Sequence, residues 1–169
     1  DVIVVGVGSM GSSTCYHLAE KKAKVLGLEQ FDITHEWGSH SGQSRLIRKA
    51  YFENPRYVPL LNHAYKGWEE IQRLSGTQLY WPTGILYFGD ENDAIIHGIE
   101  NSSSIHGLQL NHIPIHQALN KWPQFNLPSN YRCVFELEAG FITPEPAIKT
   151  YVEAAKNLGA HIHEHEKVE

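Results

Sequence analysis

The feature that most constrains this chain is a glycine run, GVGSMG at residues 6–11, placed directly after the apolar residues Val2–Val5. Cys15, Leu18 and Ala19 follow at helical spacing. A buried strand, a glycine turn and a helix together predict a site where backbone N–H groups and the helix dipole face a phosphate. The first glycine allows the tight turn, the second leaves room for the phosphate, and the third lets helix and strand pack closely.

A second strand is predicted at residues 24–29, KVLGLE, and it completes a βαβ unit. Glu29 ends this strand, 18 residues after Gly11. A carboxylate there accepts hydrogen bonds from ribose hydroxyls and repels a 2'-phosphate. The pattern therefore indicates NAD or FAD rather than NADP, and the glycines do not distinguish between these two.

The remaining chain alternates helices and strands. Hydrophobic spacing predicts helices at residues 56–74, 93–105, 116–121 and from Pro144 to Gly159, and strands at residues 83–89, 131–136 and from Ala160. The first strand is expected to be central and buried on both faces. The predicted fold class is α/β. A Rossmann-like βαβ domain comprises residues 1–75 and 141–169, and residues 76–140 are the first part of an inserted α+β substrate domain. Because a strand still runs at the end, we expect an N-terminal fragment of a longer protein.

Composition excludes several classes of function. The net charge of -5, with 14 Lys and Arg among 169 residues, argues against a nucleic-acid partner. No apolar run is long enough to span a membrane, and the N-terminus lacks the features of a signal peptide, so we expect an intracellular protein. Cys15 and Cys133 are far apart and are interpreted as core residues in a reducing compartment.

The segment GSHSGQSRLIRKAY, residues 38–51, favours FAD over NAD as the cofactor. Together with VIVVGVGSMG, LEQFD, TGILYFG, ELEAGFI and a Trp-Pro pair at Trp81-Pro82 or Trp122-Pro123, it resembles the FAD-dependent oxidases that include monomeric sarcosine oxidase, pipecolate oxidase and N-methyltryptophan oxidase. These motifs span nearly the whole chain. An NAD-binding dehydrogenase or a nucleotide-binding module has no need of this segment, and both remain the less favoured alternatives.

The resemblance implies oxidation of a secondary-amine amino acid, such as sarcosine or pipecolate, to an imine, with O2 reduced to hydrogen peroxide. A D-amino-acid or glycine oxidase-like flavoprotein is the alternative enzyme. The partners would be an N-alkyl amino acid and O2, with no nucleic acid and no membrane. The protein would be a monomer in the cytoplasm, or in the peroxisome of a eukaryote.

The resemblance also assigns residues. Arg45 would lie beside the flavin and Arg48 would bind the substrate carboxylate, which Glu53 replaces when no substrate is present. His40 is a third candidate for the active site. The family often has a histidine directly before the glycine of this motif, where this sequence has Ser41, and His40 lies one position earlier. The cofactor contacts would come from Gly6, Gly8, Ser9, Met10, Gly11, Glu29, Gln30, Gly38, Ser39, Ser44, Arg45 and Val168.

Some functional residues of the family match no position in this sequence. They are the flavin-attaching cysteine, the oxygen-activating lysine and a second carboxylate-binding lysine, so we expect no turnover from these 169 residues alone. His161, His163 and His165 alternate along the last strand, an arrangement that can bind zinc. A polar strand end is the favoured interpretation, because no fourth ligand can be identified, and no metal is predicted.

Overall fold

The computed structural model describes all residues from 1 to 169. The strands are β1 (Val2–Val5), β2 (Val25–Leu28), β3 (Arg45–Ile47), β4 (Tyr80–Trp81), β5 (Ile85–Gly89), β6 (Leu110–His112), β7 (Arg132–Glu136), β8 (Gly140–Ile142) and β9 (His161–His163). The helices are α1 (Ser9–Glu20), α2 (Val58–Ser75), α3 (Ala94–His106), α4 (Ile115–Lys121) and α5 (Pro144–Asn157), and a 3-10 turn precedes α2.

The chain folds into two compact units. The first unit consists of residues 1–45, 68–80 and 142–169, and the second of residues 46–67 and 81–141. Three short strands form a further sheet with the order β3-β8-β4.

The first unit is built on a parallel sheet with the order β1-β2-β9. Its core contains Cys15 and Tyr16 of α1, Tyr151 of α5 and Ile71 of α2. Helices α1 and α5 each present a buried apolar stripe to the sheet, which is the packing expected of a βαβ unit. The α/β fold class is therefore confirmed.

The position of β1 differs from the expectation. Central in this sheet is β2, and along β1 the side chains of Ile3 and Val5 are each 64% exposed. The expectation of a strand buried on both faces was wrong for this chain, because the alternation along a strand directs every second residue to a face that no element here covers.

The second unit is built on an antiparallel sheet with the order β5-β7-β6. Ile96 and Ile99 of α3 pack with Val134 of β7 and with Ala50 to form its core. Asp93 caps α3 by accepting hydrogen bonds from the first-turn N–H groups at 2.8 Å and 3.1 Å.

Residues 46–67 pack with this second unit. Gly98 of α3 lies so close to Phe52 that a Cβ at position 98 would stand 2.4 Å from the Phe52 carbonyl oxygen. The assignment of residues 1–75, 76–140 and 141–169 to domains stays a prediction.

Individual elements lie close to their predicted places. The buried, unpaired thiols of Cys15 and Cys133 confirm their interpretation as core residues. No helix combines the length and apolar character that crossing a membrane requires.

Candidate functional site

The glycine turn between β1 and α1 has the predicted geometry. Gly6 has a φ of 84°, and its N–H donates to the Leu28 carbonyl at 2.8 Å. A Cβ at Gly11 would stand only 1.9 Å from the Gly6 carbonyl oxygen, so only glycine permits this approach of helix to turn. The close approach of strand and helix thus depends on the left-handed backbone at Gly6 and on the absence of a side chain at Gly11.

The N-terminus of α1 is suited to an anion. Gly8 precedes the helix and supplies no capping side chain, and the first turn contains no acidic residue. The helix therefore begins with unpaired N–H donors and the positive end of its dipole uncompensated. Ser9, Met10 and Gly11 form this turn, and the diphosphate of a dinucleotide fits the donors that it presents.

Glu29 lies just beyond β2 and is only 3% exposed. Its Oε2 accepts the Val7 N–H at 2.8 Å, and its Oε1 accepts the Phe31 N–H at 3.2 Å. His35 Nε2 lies 3.4 Å from the same Oε1. The two backbone donors fix the carboxylate beside the glycine turn, where a ribose would need it.

His35 is a neighbour of Glu29 that the sequence did not single out. Its Nδ1 accepts the Trp37 N–H at 3.0 Å, so in the neutral ring the hydrogen is on Nε2, the nitrogen that lies 3.4 Å from Glu29 Oε1. The spacing of Glu29 and His35 along an irregular loop has no period that would have revealed this contact.

His40 is buried against the glycine turn. Its Nε2 lies 3.0 Å from the His35 carbonyl oxygen, and the two imidazole rings meet edge to face. A Cβ at Gly8 would stand 3.1 Å from His40 Nδ1, and one at Gly38 would stand 2.4 Å from the ring. Gly8 therefore has no side chain that would crowd His40. The sequence predicted only that Gly8 leaves room for a phosphate, and it did not reveal this second requirement.

Arg45 folds back on its own loop. Its guanidinium donates to the Ser44 carbonyl at 2.8 Å, to the Ser39 carbonyl at 3.0 Å and to the Ser41 carbonyl. The side chain is exposed and closes the loop that carries Ser39 and Ser44. Among the other predicted cofactor residues, Gln30 is exposed after β2, and Val168 is 49% exposed after β9.

Arg48 belongs to the second unit and lies in an aromatic and acidic cluster. Its Nη2 donates to Glu53 Oε1 at 2.8 Å and to Oε2 at 3.1 Å. The guanidinium carbon lies 4.6 Å from the centre of the Tyr51 ring and 4.9 Å from that of Phe52. Arg48 Nε is buried and has no hydrogen-bond partner. One nitrogen thus serves both Glu53 oxygens, while a second donor remains unused.

A buried carboxylate, Glu136 at the end of β7, lies next to the segment that carries Arg48 and is 2% exposed. It accepts hydrogen bonds from the Tyr87 hydroxyl and from the backbone N–H groups of Lys49 and Ala50. Burial, followed by the charge of Glu136, raises the pKa of Tyr87 far above its usual value, and the nearby Arg48 opposes this rise.

The histidines at the end of the chain do not form a metal site. His161 and His163 lie on β9, but His165 follows the strand with a φ of 62°, and its Nε2 is 3.3 Å from Asp32 Oδ1. No group of three His, Cys, Asp or Glu side chains in residues 1–169 is arranged to hold a metal ion.

Comparison with known proteins identifies relatives along the whole chain. A family model described as FAD dependent oxidoreductase (DAO) matches residues 1–169. N-methyl-L-tryptophan oxidase of Yersinia pestis (strain Pestoides F) is 33% identical over 162 residues, which are 96% of this chain and 44% of that protein.

Solved structures share the fold. NikD, described as an unusual amino acid oxidase essential for nikkomycin biosynthesis, superposes with a TM-score of 0.86 at 23% identity, over 98% of this chain and 43% of its own. L-proline dehydrogenase from P. horikoshii superposes with a TM-score of 0.84 at 20% identity, over 100% of this chain and 45% of its own. The chain thus spans less than half the length of these relatives.

Proposed function

Because this chain belongs to the FAD dependent oxidoreductase family, whose cofactor is FAD, we propose that its protein oxidises a secondary-amine amino acid to an imine. O2 is then reduced to hydrogen peroxide. The family resemblance drawn from the sequence motifs is confirmed by the match over residues 1–169. The preference for an N-alkyl amino acid is supported by the identity of 33% to a relative named N-methyl-L-tryptophan oxidase.

In this proposal the first unit holds FAD. The unpaired N–H groups at the start of α1 bind the diphosphate, and Glu29 accepts hydrogen bonds from the adenosine ribose. When bound, FAD accepts the hydride from the carbon next to the amine and passes two electrons to O2. Arg45 places a positive charge beside the flavin, which stabilises the negative charge that the ring gains. His40, whose ring lies against Gly8, stays the third candidate for the active site.

The arrangement around Arg48 is the single observation that carries the substrate class. Glu53 engages only Nη2, and the buried Nε has no partner. A substrate carboxylate that replaces Glu53 side-on satisfies Nη2 and Nε together, which makes it the better ligand. The rings of Tyr51 and Phe52 keep the guanidinium in place while the carboxylates exchange.

The test is the absorbance of the purified protein, at its natural length, near 450 nm under nitrogen. Sarcosine, pipecolate and N-methyl-L-tryptophan are added in turn, with glycine and D-alanine as primary-amine controls. Bleaching by a secondary-amine amino acid supports the proposal and identifies the substrate. Bleaching by the primary amines alone would instead favour a glycine or D-amino-acid oxidase.

Replacement of Arg48 tests the carboxylate contact. Arg48→Lys is expected to raise the KM of the amino acid at least tenfold, because the ammonium group cannot form two parallel hydrogen bonds. Arg56→Lys is the matched control, since Arg56 is exposed in the same unit and forms no ion pair. An equal KM for both variants would contradict the assignment of Arg48.

We propose an intracellular monomer whose partners are the small amino acid and O2. We also expect the isolated 169 residues to produce no hydrogen peroxide, and peroxide release from them would contradict that expectation.

A further inference from the structure

The second unit contains a buried charge that the proposed chemistry does not use. Glu136 ends the central strand β7, and its side chain faces the segment that follows Arg48. Lys49 N–H donates to Oε1 at 2.6 Å and Ala50 N–H donates to the same oxygen at 3.0 Å. The Tyr87 hydroxyl donates to Oε2 at 2.8 Å. The carboxylate therefore connects strands β5 and β7 to the segment at Lys49, which lies 87 residues before Glu136 in sequence.

The sheet brings Tyr87 and Glu136 together. In the antiparallel pairing of β5 and β7, Ile85 faces Glu136 and Tyr87 faces Val134. Tyr87 and Glu136 are therefore diagonal neighbours on one face of the sheet, at a separation that a tyrosine can bridge. A rigid sheet, rather than a loop, thus holds the acceptor for the Lys49 and Ala50 N–H groups.

A buried carboxylate is costly unless donors or cations compensate its charge. Here the compensation comes from two backbone N–H groups and one phenol, and no ion pair of Glu136 is formed. Such short hydrogen bonds to a charged acceptor strongly fix their donors. The two backbone donors, Lys49 and Ala50, follow Arg48 directly in sequence, so the position of the Arg48 backbone depends on Glu136.

We propose that Glu136, acting through Tyr87 and the backbone of Lys49 and Ala50, is a positioning residue that orients Arg48 for the substrate carboxylate. This inference rests on the proposed role of Arg48. Glu136 thus contributes to substrate recognition without touching the substrate.

The proposal is tested with two ligands that differ only in the carboxylate, N-methyl-L-tryptophan and N-methyltryptamine. Under nitrogen, the dissociation constant of the amino acid is taken from the dependence of the flavin bleaching rate on its concentration, and that of the amine from its inhibition of this bleaching. The ratio of the two constants reports the contribution of the carboxylate. If another substrate is identified, the same ratio is measured for that amino acid and its decarboxylated amine, for example sarcosine and dimethylamine.

Glu136→Gln keeps the size of the side chain and removes its charge. We expect it to reduce the ratio about tenfold while the affinity for the amine changes less than twofold. Tyr87→Phe, which keeps the charge and removes one donor, should reduce the ratio about threefold and covers the case in which Glu136→Gln does not fold. Glu138→Gln is the matched control, because Glu138 contacts the Lys49 side chain at 2.6 Å rather than its backbone.

The outcomes separate this inference from the function on which it rests. If Arg48→Met lowers the ratio and Glu136→Gln and Tyr87→Phe do not, Glu136 has no positioning role. An equal loss of affinity for both ligands, together with a lower Tm, would show a structural role only and would also overturn the inference. If Arg48→Met leaves the ratio unchanged, the assignment of Arg48 fails and the inference falls with it.

Discussion

Replacement of Gly11 tests the contact between helix α1 and the glycine turn. An alanine Cβ at this position would lie 1.9 Å from the Gly6 carbonyl oxygen and 2.9 Å from the Gly6 carbonyl carbon. Neither obstructing atom belongs to a flexible side chain, so the helix itself must move until the Cβ is at least 3.0 Å away. Such a movement also disturbs the packing of Cys15 and Tyr16 in the core.

The expected cost follows from these distances. Overpacking typically costs about 1–3 kcal/mol, and a clash with backbone belongs at the upper end. The higher helix propensity of alanine relative to glycine offsets up to about 1 kcal/mol of this cost. Gly11→Ala should therefore lower the free energy of unfolding by about 2 kcal/mol, measured by urea titration with tryptophan fluorescence.

Gly67→Ala is the control for helix propensity. Gly67 lies inside α2, and a Cβ there would meet no atom within 4 Å. This variant should be more stable than the natural protein by about 0.5–1 kcal/mol. If Gly11→Ala were equally stabilised, the close approach of α1 to the glycine turn would be refuted.

Three further predictions concern stability and reactivity. Burial raises the pKa of Tyr151 to about 12, against an unfolded value of about 10, so the folded state is weakened as pH rises from about 10 to 12. Between pH 9 and 11.5 the free energy of unfolding, measured by urea titration, should fall by about 2 kcal/mol less in Tyr151→Phe than in the natural protein. An unchanged pH dependence would contradict the burial of the phenol. Asp93→Ala removes the acceptor for two N–H groups of α3 and should cost about 1 kcal/mol in urea unfolding, whereas Asp93→Ser should restore most of it. Burial raises the pKa of the thiols of Cys15 and Cys133, so a disulfide reagent at pH 8 should label neither until denaturant is added, and rapid labelling of the native protein would show that one is accessible.

Local patterns in the sequence were sufficient for the cofactor end of the protein. Residues 6–11 contain all the glycines of the turn, and the contacts that require Gly6 and Gly11 lie within one βαβ unit. The acidic residue at the end of β2 is equally local, because the strand length determines where Glu29 emerges. The segment at residues 38–51 then distinguished FAD from NAD through its resemblance to a family.

Contacts distant in sequence were not visible in the same way. Glu136 follows the buried strand residues Cys133 and Val134, and by periodicity alone it reads as the polar end of that strand. The exposure of Ile3 and Val5 was also missed, since an apolar run does not reveal which of its faces is covered.

The sequence by itself therefore determined the βαβ unit, the family and FAD as the cofactor, because these depend on residues that act on near neighbours. Only the tertiary structure decided that His40 packs against Gly8 and that Glu136 holds the backbone beside Arg48. A buried carboxylate is recognised by the donors that surround it, and here Tyr87 and the Lys49–Ala50 backbone come from distant parts of the chain. Only folding brings these donors to the two oxygens of Glu136. The same contacts fix the backbone next to Arg48, the residue proposed to bind the substrate.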